Sequence, residues 1–432
     1  MAKVAIIGSG AREHAISYSL VRKKHETFVI PGNSGMKEGM KVLLDFKIDF
    51  GKIKNFLKEE KIDYVIVGPE EPLVNGIKDS LKDVAFVYGP SKKESILEGS
   101  KAYAKEFMSE YGIKTASFEI FDEPKKAREY VDKKGVPIVV KASGLALGKG
   151  SFVCWTKMEA YEAIKKIMED KIFGESGNVC VIEEFLKGVE ISLIVSVAGD
   201  EYLSFITSQD HKQVFDDDKG PNTGGMGAYG PCPFVSHSLL KDIDEKIVRR
   251  TIKGMVKRGF EYQGFLYFGL MLKDDGPYVL EYNVRMGDPE GQVLLYLLET
   301  DLLEIVEHTK NFNLLKISKL KFKEGYACYV VIASKGYPDR YEKGKLIRGY
   351  EKIKSEDMKV FFAGVKEVDG NLYTDGGRVM GVLGYGKTLE EAISKAYEGV
   401  KFIEFEGMHY RRDIGKKGLI LKRGSIPDLS NK

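Results

Sequence analysis

Cysteine is scarce in this sequence. Cys154, Cys180, Cys232 and Cys328 are the only four in 432 residues, widely spaced and without a CxxC pair. That spacing excludes a disulfide framework and fits buried thiols in a reducing cytosol. Six histidines form no HExxH and no ligand cluster, so nothing supports a zinc hydrolase. Neither sign of charge is in surplus. The 67 basic and 64 acidic side chains leave a net +3, too balanced for an extended nucleic-acid surface, although a local anion site is compatible with it. No apolar run approaches bilayer-spanning length, and the N-terminus enters an apolar strand pattern directly, without a signal peptide. A cytoplasmic protein acting on small molecules, not on nucleic acid or membranes, is expected. Internal repeats and low-complexity segments are also lacking, and no Ser/His/Asp or Cys/His constellation offers a protein nucleophile.

The length, 432 residues with 43% apolar and 30% charged side chains, implies two to four soluble domains. Strand patterns at Lys3–Ile7, Thr27–Ile30 and Tyr64–Val67 alternate with helix patterns at 12–21, 53–60 and 73–81. Such alternation predicts a parallel sheet covered by helices, ending at about residue 90 to 100. Gly8-x-Gly10 resembles a dinucleotide fingerprint, but Glu13 occupies the third glycine position and no isolated acid stands at the next strand end. The glycines still place backbone N–H groups at a helix N-terminus, which suits a substrate phosphate. The plainer alternative is a tight strand-to-helix turn.

Further along, Lys101 lies on a helix and Lys141 on a strand, followed by the glycine-rich loop Ser143–Gly150 and another strand. This is no Walker A element, since GKS/T and the following helix are missing. A Gly/Ser/Ala loop between two strands can instead fold over phosphates as a lid. The segment 208–227 is dense in glycine and nearly without apolar periodicity, a long loop of the kind that usually carries function. Within it, Asn222, Thr223 and the Gly224 and Gly225 amides are candidates for an anion nest. After a hairpin turn expected at Lys273–Gly276 comes Glu281-Tyr-Asn283-Val-Arg285-Met-Gly-Asp288-Pro-Glu290. Residues i and i+2 of a strand share a face, so Glu281 and Asn283 can hold a hard cation such as Mg2+, with Arg285 on the same face for a phosphate oxygen. Past residue 323 a small unit of strands and one helix, Leu389–Phe402, contributes Gly376-Gly377-Arg378 as a local contact, and the final ten or so residues read as frayed.

With these motifs in place, the chain resembles the ATP-grasp ligases and, among them, the glycinamide ribonucleotide synthetase family. The resemblance covers essentially the whole chain. It is carried by Gly8–Ala15, Pro31–Gly35, Val67–Gly76, the Lys141–Gly150 loop, Gln209–Lys212, Gly220–Tyr229, the 281–290 motif and Thr374–Val379. It implies an α/β and α+β multidomain fold. An N-terminal parallel α/β domain (1–100) precedes an ATP-grasp core (101–323) with a mobile lid subdomain at about 121–188, and a small C-terminal α+β domain (324–432) follows. The implied reaction joins glycine to 5-phosphoribosylamine through a glycyl phosphate, with ATP and Mg2+, for which Mn2+ can substitute. No oligomer is required, so a monomer is expected.

By the same resemblance Lys101 and Lys141 are the ATP-phosphate lysines, and the loop carrying Gly144, Gly148, Lys149 and Gly150 closes over the phosphates. Glu183, Glu184, Phe185 and Leu186 form the adenine-holding hinge, and Glu190 accepts from the ribose. Glu281 and Asn283 are the metal ligands. A further carboxylate expected before the hairpin is replaced by Gly269, which leaves part of the coordination to water. Arg285, Asp288, Asp210 and Lys212, with His211, stand near the reacting groups. Gly10, Arg12, Glu13, Asn33, Gly35, Glu71, Pro72 and the run Asn222, Thr223, Gly224 and Gly225 are the candidates for phosphoribosylamine. The sequence departs from the family at Asp217, usually glycine, and at Leu147, usually small. Two other functions are compatible with parts of this pattern: a different ATP-grasp activity, or a nucleotide-binding scaffold without turnover.

Overall fold

The computed structural model describes residues 2–146 and 148–421. Its N-terminal unit is a parallel sheet in the order Met40–Val42, Glu26–Pro31, Lys3–Gly8, Tyr64–Val67, Phe86–Tyr88. These strands are short apolar runs because both faces are covered by helices; Val4 to Ile7 are fully buried. The helix expected over 73–81 is two helices, Glu70–Val74 and Ile77–Leu81. Gly76 separates them with φ +87, a left-handed conformation that stops the first helix and that glycine takes freely.

The strand order reverses around Lys3–Gly8, where open α/β sheets usually admit a ligand at their carboxyl ends. Here the Glu13 side chain sits against the glycines at that end. Glu13 accepts the Gly10 N–H through Oε2 at 2.5 Å, and a methyl group at Gly8 or Gly68 would overlap the Glu13 side chain. The chain's own carboxylate therefore caps the helix Ala11–Val21. The Gly10 amide, expected to face a substrate phosphate, is bonded to Glu13 instead.

The core is an antiparallel sheet ordered Glu201–Ser204, Val189–Ala198, Gln263–Lys273, Gly276–Asn283, with the expected hairpin turn between its last two strands. Facing it is a smaller sheet of Phe118–Phe121, Cys180–Glu184, Ile138–Ala142 and Ser151–Cys154. That lid has its own apolar core, including Val131, Ile138, Val140 and Ile164, separate from the two large clusters that run through the rest of the molecule. A layer with a self-contained core can tilt as a body without exposing the main one.

The C-terminal sheet runs Gln209–Asp210, Gly227–Gly230, Tyr326–Ala333, Arg378–Gly386, Met358–Phe362. Its first two strands come from the segment expected to be a loop, and between them Gln213–Phe215 pairs with Lys219–Asn222. Strands this short and glycine-dense carry no alternation to detect. The core and the C-terminal unit thus share a sheet across the boundary expected at 323. Asp217 takes φ +58, which explains why glycine suits that position; aspartate tolerates this conformation better than most residues, and the Asp217 N–H donates to Asp413 Oδ2 at 2.9 Å. Leu147 and the final ten residues lie outside the described residues. No helix among the described residues is long and apolar enough to cross a membrane.

His14 joins the N-terminal helix to the C-terminal sheet. Its Nδ1 accepts the Phe362 N–H at 3.0 Å, and its ring stacks on Phe362. Burial, aided by Lys359, pushes its pKa down from 6.5 to about 3. A depressed histidine contributes stability that is present above its unfolded pKa and is lost as pH falls from 6.5 toward the folded value. His14→Gln is therefore expected to reduce the stability difference between pH 7 and pH 5, by up to about 2 kcal/mol for one proton. Urea unfolding of both proteins at the two pH values measures it, and an unchanged difference would contradict the assignment.

Candidate active site

The core, the lid and both flanking units enclose a cavity of about 530 Å³. Its floor is the strand Gly276–Asn283, where Glu281 lies opposite Gly269 in register. Alternation turns Tyr282 inward, its hydroxyl 2.9 Å from Thr251 Oγ1, and leaves Glu281 and Asn283 lining the cavity. Burial alone would raise the Glu281 pKa, but Lys212, Lys141, Lys101 and Arg285 pull it down to about 2. The Lys212 ammonium is 3.4 Å from Glu281 Oε1. An ionised carboxylate set among three lysines and followed by an amide oxygen is suited to a polyphosphate and its cation.

Lys101 begins the helix Lys101–Glu110, which Ser100 caps through Tyr103 N at 3.2 Å. Its ammonium donates to Gly144 O at 3.1 Å, across to the lid. Lys141 pairs with Glu183 Oε2 at 2.9 Å. Expected as part of the hinge, Glu183 uses its side chain here, since the same oxygen holds Lys105 at 3.0 Å. Lys105 was not anticipated. It follows Lys101 by four residues, hence on the same helix face, and that spacing was the available signal. Its side chain is buried and donates to Thr115 Oγ1 at 2.6 Å, and burial pushes its pKa down to about 8 against the pull of Glu183.

The apolar end of the cavity is lined by Ala116, Val153, Phe185, Leu186, Met271 and Leu280. The chain leaves its strand after Glu184, so the hinge runs along this slot, with Phe185 against Trp155 at 4.9 Å between ring centroids. Exposed Glu190 stands at the rim, 4.0 Å from Lys212. From the lid loop, Gly148, Lys149 and Gly150 line the cavity, whereas Gly144 does not; its N–H goes to Ser176 O at 3.1 Å.

At the opposite end Arg285 lines the cavity with Asp288, but is engaged by acids of the N-terminal domain. Its guanidinium is held by Glu98 at 2.8 Å and Glu70 at 3.3 Å, and it reaches Asn283 Oδ1 at 3.3 Å. Few of its donors remain for a phosphate. Asp288 lines the cavity with Oδ2 on Arg378 at 2.8 Å and Oδ1 on Gln292 at 2.8 Å. Glu290 accepts from Ser192 at 2.8 Å. Burial, with Glu290 nearby, pushes the Asp210 pKa up. Lys212 is held charged, against burial, by Glu281, Tyr267, Glu190 and Asp210. His211 faces away, its Nδ1 3.2 Å from Gly227 O.

The expected anion nest at 222–225 is not free. The Thr223 N–H bonds Lys212 O at 2.8 Å, Gly224 N–H bonds the Tyr337 hydroxyl at 3.0 Å, and Gly225 N–H bonds Thr223 Oγ1 at 2.9 Å. Asn222, Thr223 and Gly224 still line the cavity, but Gly225 does not. From the N-terminal domain Arg12 and Glu70 line it, while Gly10, Glu13, Asn33, Gly35, Glu71 and Pro72 do not. Glu70, one residue from the expected Glu71, is the acid that faces inward. Asn33 instead ties domains, donating to Ser9 O at 2.8 Å and Phe362 O at 3.0 Å. Gly35 packs against the Phe362 ring.

A hinged lid and a larger core pinching a nucleotide-sized cavity between two antiparallel sheets make this an ATP-grasp enzyme. The biotin carboxylase domain of Hydrogenobacter thermophilus 2-oxoglutarate carboxylase shares that fold, with TM-score 0.74 at 15% identity over 94% of this chain and 91% of that one. Three models of phosphoribosylglycinamide synthetase match in succession: the N domain over residues 2–98, the ATP-grasp domain over 99–291 and the C domain over 327–417. The phosphoribosylamine–glycine ligase of Caldanaerobacter subterraneus is 42% identical over 415 residues, 95% of this chain and 99% of that protein. The trifunctional purine biosynthetic protein adenosine-3 of Bos taurus is 43% identical over 97% of this chain and 42% of its own length. The crystal structure of phosphoribosylamine–glycine ligase from Thermotoga maritima superposes with TM-score 0.84 at 39% identity, covering 95% of this chain and all of that one.

The chain belongs to the phosphoribosylglycinamide synthetase family. Membership carries the family's activity, the ATP-dependent ligation that forms glycinamide ribonucleotide in purine biosynthesis.

Proposed function

We propose that glycine and 5-phosphoribosylamine meet at the Asp288 end of the cavity and that ATP lies along the lid, its phosphates over Glu281. The observation that carries this reading is the ionised Glu281 ringed by Lys101, Lys141 and Lys212. A carboxylate is a poor electrophile. Transfer of the terminal phosphoryl group to glycine gives an acyl phosphate, and the free amine of phosphoribosylamine then attacks the carbonyl carbon and expels phosphate. The protein has to align the partners, neutralise charge and exclude water.

Lys101, Lys141 and Lys212 take the phosphate charge, Lys149 and the loop glycines cover it, and the hinge 184–186 receives the base. Glu281 and Asn283 would hold Mg2+, which supplies charge neutralisation at the phosphates when bound. No three His, Cys, Asp or Glu side chains group as a cage among the described residues, so phosphate oxygens and water complete the shell. Mn2+, also oxygen-seeking, is expected to substitute. The cavity is built from a single chain, so a monomer suffices.

ADP release should require glycine, and formation of glycinamide ribonucleotide should require phosphoribosylamine as well; ADP formation indifferent to glycine would sink the reading. Arg12 lines the cavity from the N-terminal domain, its guanidinium 2.7 Å from Glu13 Oε1 and 3.2 Å from Met286 O. Arg12→Ala is expected to raise the KM for phosphoribosylamine about tenfold or more, the loss of one charged contact, with little change for ATP. A defect confined to ATP would move that substrate elsewhere.

A further inference from the structure

Gly224, at the tip of the 223–225 turn, has both polar groups of its backbone held by the C-terminal domain. The Tyr337 hydroxyl accepts its N–H at 3.0 Å. Arg378 Nη1 donates to its carbonyl at 2.7 Å and to Asp288 O at 2.9 Å, and Nη2 binds Asp288 Oδ2 at 2.8 Å. Tyr337 is itself fixed, because its ring covers Gly377, where a side chain would overlap it, and packs beside Val214, Met226 and Ala333. The next residue holds the lid: Lys149 Nζ donates to Pro338 O at 2.6 Å. Gly148 lies so close to the turn that a methyl group there would meet Thr223 O at 3.1 Å. One short stretch of the C-terminal domain thus fastens the turn on one side and the lid on the other, where both line the cavity beside Asp288.

We propose that Tyr337 and Arg378 are positioning residues that close the acyl-phosphate end of the cavity against water by fixing the 223–225 turn under the lid. This rests on the reaction proposed above. The competing reaction is hydrolysis. Water adds to the carbonyl carbon of glycyl phosphate, the C–O bond to phosphate breaks, the water proton passes to solvent, and glycine and phosphate leave with no change of oxidation state. ATP is then consumed without product. Productive turnover breaks the same bond after attack by the amine, so the two outcomes differ only in which nucleophile reaches the carbon.

Tyr337→Phe keeps the ring over Gly377 and removes only the acceptor for Gly224 N–H. Arg378→Lys keeps the charge and loses the fork that grips Asp288 and the turn at once. Both are measured in the full chain, following ADP and glycinamide ribonucleotide together, with thermal unfolding as a check on the fold. In the wild type the two products should appear in equal amounts. In Tyr337→Phe we expect product formation to fall about fivefold, the loss of one buried hydrogen bond, while ADP per product rises to about two or more and the KM for ATP holds. Arg378→Lys should exceed both changes. The inference is overturned if ADP and product fall in step, or if neither changes in Tyr337→Phe. If Arg378→Lys does not fold, Tyr337→Phe decides alone. Wild-type ADP release that ignores glycine would instead defeat the underlying reaction.

Discussion

Replacing Glu281 with alanine is expected to lower turnover by about a hundredfold or more, the scale seen when a preorganised group facing developing charge is removed. Its side chain is one-third exposed, toward the cavity, and the strand carrying it pairs with residues 267–273 on both sides of a bulge at Gly269 and Leu270, so the fold should survive. What changes is the charge around the phosphates. Lys101, Lys141 and Lys212 would lose the carboxylate that now offsets them, and the cation would keep only Asn283 from this pair. Inorganic phosphates should then bind as well as before or better while chemistry slows. Glu281→Gln, with nearly the same shape and no charge, should behave like alanine. Because the surrounding lysines and Arg285 hold its carboxyl group well below the usual carboxylate range, its protonation should leave no acid limb in the ordinary carboxylate range of the wild-type rate profile. Turnover close to wild type in either variant would refute the role.

Arg285→Met is expected to cost stability as well as activity. The guanidinium is the partner shared by Glu70 and Glu98, and stripping one side of a buried ion pair costs about 3–5 kcal/mol. Glu98 is nearly enclosed, accepts the Val284 N–H at 2.7 Å, and burial already pushes its pKa from 4.5 to about 7 against Arg285. A carboxyl group raised on folding contributes stability that is complete below its unfolded value and is lost as pH rises through the folded one. Without Arg285 the folded value climbs further, so the variant should be weakest at alkaline pH and recover as pH falls toward 4.5. Chemical unfolding at pH 8 and pH 6 measures this. Adding Glu98→Gln should restore much of the stability at pH 8 without restoring activity. A variant as stable as wild type at pH 8 would mean that Arg285 does not hold these acids.

The shared cavity face of Glu281 and Asn283 was legible because strand alternation needs only adjacent positions, and both residues obey it. The lid and the domain order were legible through glycine spacing and family resemblance. Pairing was not legible. Arg378 meets Asp288 across 90 residues and Arg285 meets Glu70 across 215, and nothing local distinguishes Glu70 from Glu71. The amides of the 223–225 turn and of Gly10 looked available because a sequence displays donors without their acceptors. The Lys212 carbonyl, Tyr337, Thr223 and Glu13 had already taken them, as buried amides require.

The strands Gln209–Asp210 and Gly227–Gly230 have a further consequence for how this chain can be divided. They belong by sequence to the ATP-grasp core and by hydrogen bonding to the C-terminal sheet, where Gly227–Gly230 pairs with Tyr326–Ala333. A cut at residue 323 would leave that strand without its neighbour and expose a bare sheet edge of the kind prone to association. It would also free the hairpin that presents Asn222 to the cavity. The three units are therefore not interchangeable modules. The core and the C-terminal unit have to be carried together for that sheet to close.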